Sequence, residues 1–160
     1  MIVYRISNER YKNDLSGNGA ALYGSRWNSP GRRMLYTSEY ISLGILESLV
    51  HLDKNFIPDK QYLLHISIPD SKDIKTITRT SIKKDWRTNI DYSRWVGDQF
   101  LRLGEAFALK VPSVVVEQEN NFLFNPSHAD FKKVKIVSVE LLQLDQRLFH
   151  QQSIRTPNRP

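Results

Sequence analysis

The chain of 160 residues contains no cysteine, so disulfides, a thiolate zinc site and a cysteine nucleophile are all excluded. This agrees with a reducing compartment, and the cytoplasm is the expected location. Apolar runs are only a few residues long, whereas a membrane-spanning helix needs about 20. The first residues, MIVYRISNERYK, lack the basic segment and apolar stretch of a secretory signal. No membrane association is expected.

Blocks of like charge and metal-binding spacings are also missing. The net charge is +6, but the basic residues occur as scattered pairs such as Arg32 and Arg33. Direct nucleic-acid binding is therefore not expected, although a non-enzymatic nucleic-acid-binding module is kept as an alternative. The common phosphate-loop, dinucleotide, serine-hydrolase and zinc-protease motifs are absent. No metal site is expected, because metal-ligand spacing is not found among the histidines, which are His51, His65, His128 and His150.

The hydrophobic content of 40% suits one domain with a core of its own. Alternating or β-rich segments predict strands at 2–6, 34–38, 61–69, 73–78 and 134–144, with another beginning at Ser113. Helical spacing predicts helices at 39–53, with Ser38 as N-cap, and at 91–109. Residues 18–33 are predicted to form an ordered loop and residues 121–131 a turn-rich link. Without a βαβα rhythm, this mixture predicts the α+β class.

The first predicted helix carries a carboxylate at the edge of its apolar arc. At about 100° per residue, Glu47 falls just outside that arc, on the side shared with Gly44 and His51. One interpretation is a solvated acid weakly paired with His51 at i, i+4. The other is a carboxylate at the rim of the core, where Gly44 removes a side chain and lets a ligand approach. The residues alone leave both interpretations open.

A loop with the sequence GSRWNSPG, residues 24–31, fits no ordinary turn. Pro30 and the glycines exclude a helix, and solvated turns seldom contain a residue such as Trp27. Arg26 is suited to binding phosphate or carboxylate oxygens through its guanidinium. The alternative is an arginine that stacks on Trp27.

Three further residues are candidates, each with an ordinary alternative. Arg5 interrupts an otherwise apolar strand, and it either faces solvent by alternation or points into a cleft. Tyr36 leads into the helix of Glu47, although most strand tyrosines are core residues with a wet hydroxyl. Ser113 is either a functional residue or an ordinary serine at a strand edge. Residue chemistry alone indicates an α+β domain with an arginine loop suited to an anion.

Taken together, these segments resemble the RES domain, the toxin half of bacterial RES–Xre toxin–antitoxin pairs. The segments occur in the order of the family and cover most of the chain. We therefore expect a RES domain over residues 1–145 and a C-terminal tail over 146–160. The matching segments are YRIS (4–7), LYGSRWNSPGRRMLYTSE (22–39), ISLGILESLVHL (41–52), PSVVV (112–116) and NFLFNPSHADF (121–131).

The resemblance implies a fold similar to ADP-ribosyltransferases, with a curved, split sheet and flanking helices around an NAD cleft. It also implies a toxin that consumes NAD⁺ by hydrolysis or phosphorolysis of the nicotinamide–ribose bond, or that ADP-ribosylates a protein. NAD⁺ is the substrate, with no other cofactor and no metal. The implied partner is an Xre-type helix-turn-helix antitoxin that inhibits a dimeric toxin.

The resemblance also assigns site residues. Glu47 is expected to stabilise positive charge on the ribose, and Arg5 and Arg26 are expected to bind the pyrophosphate. Tyr36 is expected to pack on nicotinamide or ribose, and Ser113 to bond to a ribose hydroxyl or to the nicotinamide amide. The expected catalytic residues are thus Glu47, Arg26 and Ser113, and either Arg5 or Arg26 is the dominant arginine.

The remaining residues of the GSRWNSPG loop are assigned structural roles. Trp27 is expected to anchor the loop to the core, while Asn28 and Pro30 are expected to fix its turn.

Overall fold

A mixed sheet of seven strands forms the centre of the computed structural model, which describes residues 1–51, 60–70 and 74–148. The strands are β1 (Ile2–Asn8), β2 (Leu35–Ser38), β3 (Gln61–Ser67), β4 (Ile74–Thr76), β5 (Ala108–Pro112), β6 (Asn120–Phe124) and β7 (Lys135–Leu142). The helices are α1 (Asn18–Tyr23), α2 (Ile41–Val50) and α3 (Ile90–Leu103), with short 3-10 turns at Glu9–Tyr11, Ala129–Lys133 and Gln146–Leu148. None of the helices among the described residues has the length and apolarity to cross a bilayer.

The sheet splits between β2, its central strand, and the neighbouring β1. Its order is β4-β5-β6-β2-β1-β3-β7, and only the pairing of β4 with β5 is parallel. β1 pairs with β3 along its whole length, from Ile2 to Asn8, but it meets β2 in one pair, Tyr4 opposite Ser38. The two strands therefore diverge and open a cleft at their ends. The expected α+β class with a split sheet is confirmed.

Two apolar clusters pack on the sheet, and β6 contributes to both. Phe122 and Phe124 join the cluster that contains Val3 and Leu64, while Leu123 joins the cluster that contains Trp27. Successive side chains of a strand point to opposite faces, so a continuous apolar run such as FLF marks a strand buried on both sides. β6 is thereby fixed next to β2, at the centre of the molecule.

The second cluster joins the loop at residues 24–31 to α3. Trp27 is 3% exposed, and its ring lies 5.8 Å from the ring of Trp86. Asp98 of α3 accepts hydrogen bonds from the backbone N–H and the hydroxyl of Ser29, at 3.0 and 2.5 Å. The loop is so close to the helix at Gly97 that any Cβ there would lie 1.8 Å from the carbonyl oxygen of Trp27.

Several predicted elements were wrong. The supposed loop at 18–33 begins with helix α1. The supposed link at 121–131 begins inside strand β6. No strand begins at Ser113, because β5 ends at Pro112 and a turn follows. The errors at β5 and β6 share a cause: pairing with distant strands, which local patterns do not report, decided where these two strands formed.

Both predicted helices were too long. α2 begins at Ile41, its N-cap is Tyr40 rather than Ser38, and the predicted residues 52–53 lie outside the described residues. α3 ends at Leu103, because Gly104 adopts a left-handed conformation (φ 63°) that closes the helix. Helical spacing predicts an apolar face of Trp95, Val96, Phe100, Leu103 and Phe107 on this helix, but Trp95 and Leu103 are 58% and 48% exposed and Phe107 lies beyond its end. Residues 149–160 of the predicted tail lie outside the described residues.

Candidate active site

A cavity of about 290 Å³ lies where β1 and β2 separate. One wall is formed by β1 and β2 and the other by α2, and β6 and the 24–31 loop complete the lining. Side chains of both signs of charge therefore face the same space. The lining residues are Tyr4, Arg5, Ile6, Ser25, Tyr36, Thr37, Ser38, Gly44, Glu47, Ser48, His51 and Asn121.

Glu47 is the acid in the cavity wall, and side chains from β6 and from the turn after β5 hold its carboxylate. Its Oε1 accepts a hydrogen bond from the Ser113 hydroxyl at 2.7 Å and another from the Asn121 amide at 2.6 Å. Gly44, one turn earlier on α2, is buried against Ser38 and Ile6 and adds no side chain to the cavity. This geometry favours a carboxylate at the rim of the core over a solvated acid.

Ser113 contacts Glu47 but does not line the cavity. It is fully buried just after β5, and its hydroxyl oxygen accepts hydrogen bonds from the backbone N–H groups of Val115 and Val116, both at 3.0 Å. Such a turn around a serine hydroxyl holds the side chain in one orientation. The structure therefore brings together Ser113 and Glu47, which are 66 residues apart in the sequence.

Asn121 is a site residue that sequence reasoning missed. It lies on β6 opposite Ser38, and its Oδ1 accepts a hydrogen bond from the Ser38 hydroxyl at 2.9 Å. Ser38 was predicted to cap α2, but it faces the cavity instead. The local sequence does not indicate a strand at this position, because asparagine is disfavoured in strands and usually indicates a turn.

Arg5 lines the cavity from β1 and is only partly satisfied. Its Nη1 donates a long hydrogen bond, 3.5 Å, to the carbonyl oxygen of Tyr36. Its buried Nε has no hydrogen-bond partner in the described part of the chain. Burial lowers the pKa of the guanidinium, and the charge of Asp14 opposes this shift. The alternative in which Arg5 faces solvent is therefore disfavoured.

Arg26 is placed differently from Arg5. Its Nη1 donates to the backbone carbonyl oxygens of Trp86 and Arg87, at 3.4 and 3.0 Å, and the residue of its loop that lines the cavity is Ser25. Burial lowers the pKa of Arg26, while the charge of Glu47 opposes the shift, so the two groups attract each other. Its expected role at the pyrophosphate stays a prediction.

Tyr36 lines the cavity with its ring while its hydroxyl belongs to the loop. The hydroxyl donates to Asn28 Oδ1 at 2.7 Å and accepts from the Trp27 backbone N–H at 3.1 Å. Burial raises the pKa of the phenol. Asn28 is itself fully buried, and its Nδ2 donates to the carbonyl oxygens of Ala20, Ser29 and Arg32. Trp27 and Asn28 thus have the structural roles expected of them.

Comparison with known proteins identifies the family. The RES domain model matches residues 2–146. The chain belongs to the RES domain family. Relatives of this RES domain include "Toxin Res" of Pseudomonas putida, 35% identical over 151 residues, which cover 93% of this chain and all of that protein. "Toxin Res" of Photorhabdus laumondii is 34% identical over 83% of this chain and 86% of its own.

Two further comparisons concern activity and fold. The "Prs ADP-ribosylating toxin" of a Sphingobium species is 34% identical over 84% of this chain and 86% of its own. The crystal structure of the M. tuberculosis MbcT–MbcA toxin–antitoxin complex contains a chain that superposes with a TM-score of 0.74. That superposition covers 92% of this chain and 86% of the other, at 16% identity. The likeness confirms the fold expected of the family. The family match and the relatives named Toxin Res identify the chain as a RES toxin.

Across the described residues, no group of three or more His, Asp or Glu side chains converges as a metal site would require. The expectation that catalysis needs no metal stays a prediction.

Proposed function

We propose that this RES domain is the toxin of a toxin–antitoxin pair, and that it arrests growth by breaking the nicotinamide–ribose bond of NAD⁺. The observation that carries the proposal is the Glu47 carboxylate, held by two hydrogen bonds in the wall of the cavity at the sheet split. A volume of about 290 Å³ lies near the lower limit of about 300 Å³ for small-molecule sites. The cavity therefore suits the nicotinamide riboside half better than the whole dinucleotide.

The reaction needs a fixed negative charge beside the ribose. When the bond between the ribose C1 and the nicotinamide nitrogen breaks, its electron pair leaves with nicotinamide, which departs neutral. Positive charge then develops on the ribose as an oxocarbenium-like centre, and a carboxylate nearby stabilises it. Glu47 is the acidic side chain that lines the cavity.

The second half of the reaction adds a nucleophile to C1. Water adds its oxygen and releases a proton, giving ADP-ribose, whereas inorganic phosphate gives the 1-phosphate of ADP-ribose. Neither route requires a proton donor for the leaving group. The cavity agrees with this, because its acidic side chain, Glu47, is used as a carboxylate and His51 is exposed at the rim. The carboxylate also orients the ribose hydroxyls or the attacking water.

Arg5 is the arginine we assign to the pyrophosphate. Arg5 lines the cavity, and its hydrogen bond among the described residues is the long contact of Nη1 with the Tyr36 carbonyl oxygen, so the guanidinium keeps donors for an anionic ligand whose phosphate oxygens match its fork geometry. Arg26 would act from outside the cavity lining, since its Nη1 already donates hydrogen bonds to two backbone carbonyl oxygens. The proposed role as a toxin is supported by the family match. An antitoxin partner is supported by the MbcT–MbcA structure, which is a toxin–antitoxin complex.

The test is an NAD⁺ assay on purified protein free of antitoxin. Wild type should lower NAD⁺ and release nicotinamide in equal amounts, and Glu47→Gln should lower kcat by about 100-fold or more, because one charged group is lost from the transition state. Glu140→Gln, at an exposed acid on β7 outside the cavity, is the matched control and should retain wild-type activity. Unchanged NAD⁺ with folded wild-type protein would falsify the proposal.

A second candidate is transfer of ADP-ribose to a protein, favoured by the relative named as an ADP-ribosylating toxin. The same bond breaks in both reactions, so only the fate of the ADP-ribose differs. NAD⁺ labelled in its adenine ring distinguishes them in a cell extract. Label on a protein indicates transfer, while free labelled ADP-ribose or its 1-phosphate indicates hydrolysis or phosphorolysis.

A further inference from the structure

Glu47 receives both of its hydrogen bonds on one oxygen, Oε1. No donor among the described residues is bonded to Oε2. We propose that Asn121 is a positioning residue that acts with Ser113 to hold Oε1, so that Oε2 is the oxygen presented to the substrate. This inference rests on the proposed function, because it assigns the two oxygens of the same carboxylate different tasks.

The hydroxyl of Ser113 already makes all the hydrogen bonds that it can. A serine hydroxyl has one proton to donate and two lone pairs to accept with. Both lone pairs are occupied by the backbone N–H groups of Val115 and Val116, so the proton is directed at Glu47. Ser113 has therefore no donor left for a ribose hydroxyl or for nicotinamide. Its expected contact with the substrate is replaced by an indirect role through Glu47.

The amide of Asn121 is committed in the same way. An ionised carboxylate only accepts hydrogen bonds, so the group facing Glu47 at 2.6 Å must be the NH₂ of Asn121. The opposite side of the amide, Oδ1, accepts the Ser38 hydroxyl at 2.9 Å. Because Ser38 is 5% exposed and fixed on β2, it determines which way the amide points.

The two donors approach Oε1 from different segments of the chain. Ser113 lies in the turn after β5, and Asn121 lies on β6, so the carboxylate is tied to that turn and to the neighbouring strand while its backbone belongs to α2. Either donor alone would let the carboxyl group rotate about its last bond. With both in place, one orientation is favoured and Oε2 is kept away from the strands.

The neighbouring residue provides a matched control. Asn120 precedes Asn121 on β6, and its Nδ2 donates to a different carboxylate, Glu39 Oε2, at 2.8 Å. Replacing it removes an amide–carboxylate hydrogen bond of the same kind from the same strand. Successive strand residues point to opposite faces, so Glu47 is left untouched.

The kinetic test compares Asn121→Ala, Asn120→Ala and Asn121→Asp. We expect Asn121→Ala to lower kcat about 10- to 100-fold with little change in KM, because a charge-assisted hydrogen bond is lost, and Asn120→Ala to retain wild-type kcat. The new carboxyl in Asn121→Asp repels Glu47 when ionised and donates a hydrogen bond when protonated, so its activity relative to wild type should recover as pH falls. A purely structural role would not give such a pH profile.

A second readout does not depend on activity. In the NMR spectrum of the wild-type chain, the side-chain NH₂ signals of Asn121 should shift on Glu47→Gln, while those of Asn120 should not. Wild-type kcat in Asn121→Ala, or Asn121 signals that do not respond to Glu47→Gln, would overturn the positioning role while the proposed function stands. Absence of NAD⁺ cleavage by wild type would remove the proposed function, and the NMR comparison would then decide the pairing by itself.

Discussion

The contact between α3 and the 24–31 loop can be tested at a single atom. Gly97 lies where the helix meets the backbone of Trp27, and a Cβ added there would be 1.8 Å from the Trp27 carbonyl oxygen. Real Cβ contacts essentially never fall below 3.0 Å, so Gly97→Ala must separate helix and loop by about 1.2 Å. The obstacle is backbone, which cannot rotate away as a flexible side chain can.

The magnitude follows from two opposing effects. Overpacking of a rigid contact costs about 3 kcal/mol, at the upper end of the usual range. Alanine is favoured over glycine inside a helix by about 1 kcal/mol. The expected net loss is therefore about 2 kcal/mol, and for a chain of this size each kcal/mol lowers Tm by about 2–4 °C. We expect Tm to fall by about 4–8 °C.

Thermal unfolding followed by circular dichroism measures this change. Gly19→Ala is the matched control, because Gly19 lies in helix α1 and a Cβ there meets nothing within 4 Å. Its Tm should stay the same or rise slightly. The displaced Trp27 backbone also bonds the hydroxyl of Tyr36, so Gly97→Ala should weaken NAD⁺ cleavage at temperatures where it is folded. Equal Tm values for the two alanine variants would refute the reasoning.

Two further predictions concern partly buried polar residues. Tyr36→Phe leaves the Trp27 N–H and Asn28 Oδ1 without their phenol partner, so urea unfolding should show a loss of about 2 kcal/mol; an unchanged midpoint contradicts this. Burial would raise the pKa of Glu39, but its hydrogen bonds to Lys110 and a neighbouring amide hold it below the ordinary 4.5. Glu39 therefore stabilises the fold above that pH, and the advantage of wild type over Glu39→Gln should vanish on acidification; an advantage that persists in acid argues against the ion pair.

The elements that the sequence predicted well are those whose pattern is local. β1, β3 and β7 alternate or are rich in β-branched residues, and each was predicted at its observed place within a few residues. The sequence did not predict β6, because its two asparagines are disfavoured in strands and its FLF segment does not alternate between apolar and polar residues. The strand is buried on both faces. Pairing with β2 and β5 determines where β6 forms, and β2 lies more than 80 residues earlier in the chain.

The same distinction applies to the candidate site. Helical periodicity placed Glu47 beside the apolar arc and next to Gly44, and the cavity indeed includes both. The hydrogen bonds that hold the carboxylate span 66 and 74 residues, and no local pattern reports contacts of that range. Asn121 became visible only when β6 was found to lie beside β2.

The most distinctive segment of the sequence contributes to the scaffold of the site. In the GSRWNSPG loop, the Asn28 amide, the Trp27 ring and the Arg26 guanidinium all bind or pack against the protein itself. Their combined effect is to fix the Tyr36 hydroxyl and the cavity wall beside it. Arg5, on β1, lines the cavity, and among the described residues its hydrogen bond is one long contact with the Tyr36 carbonyl oxygen. Under the proposed function, Arg5 is therefore expected to bind the pyrophosphate, because its guanidinium keeps donors that are not bonded within the protein.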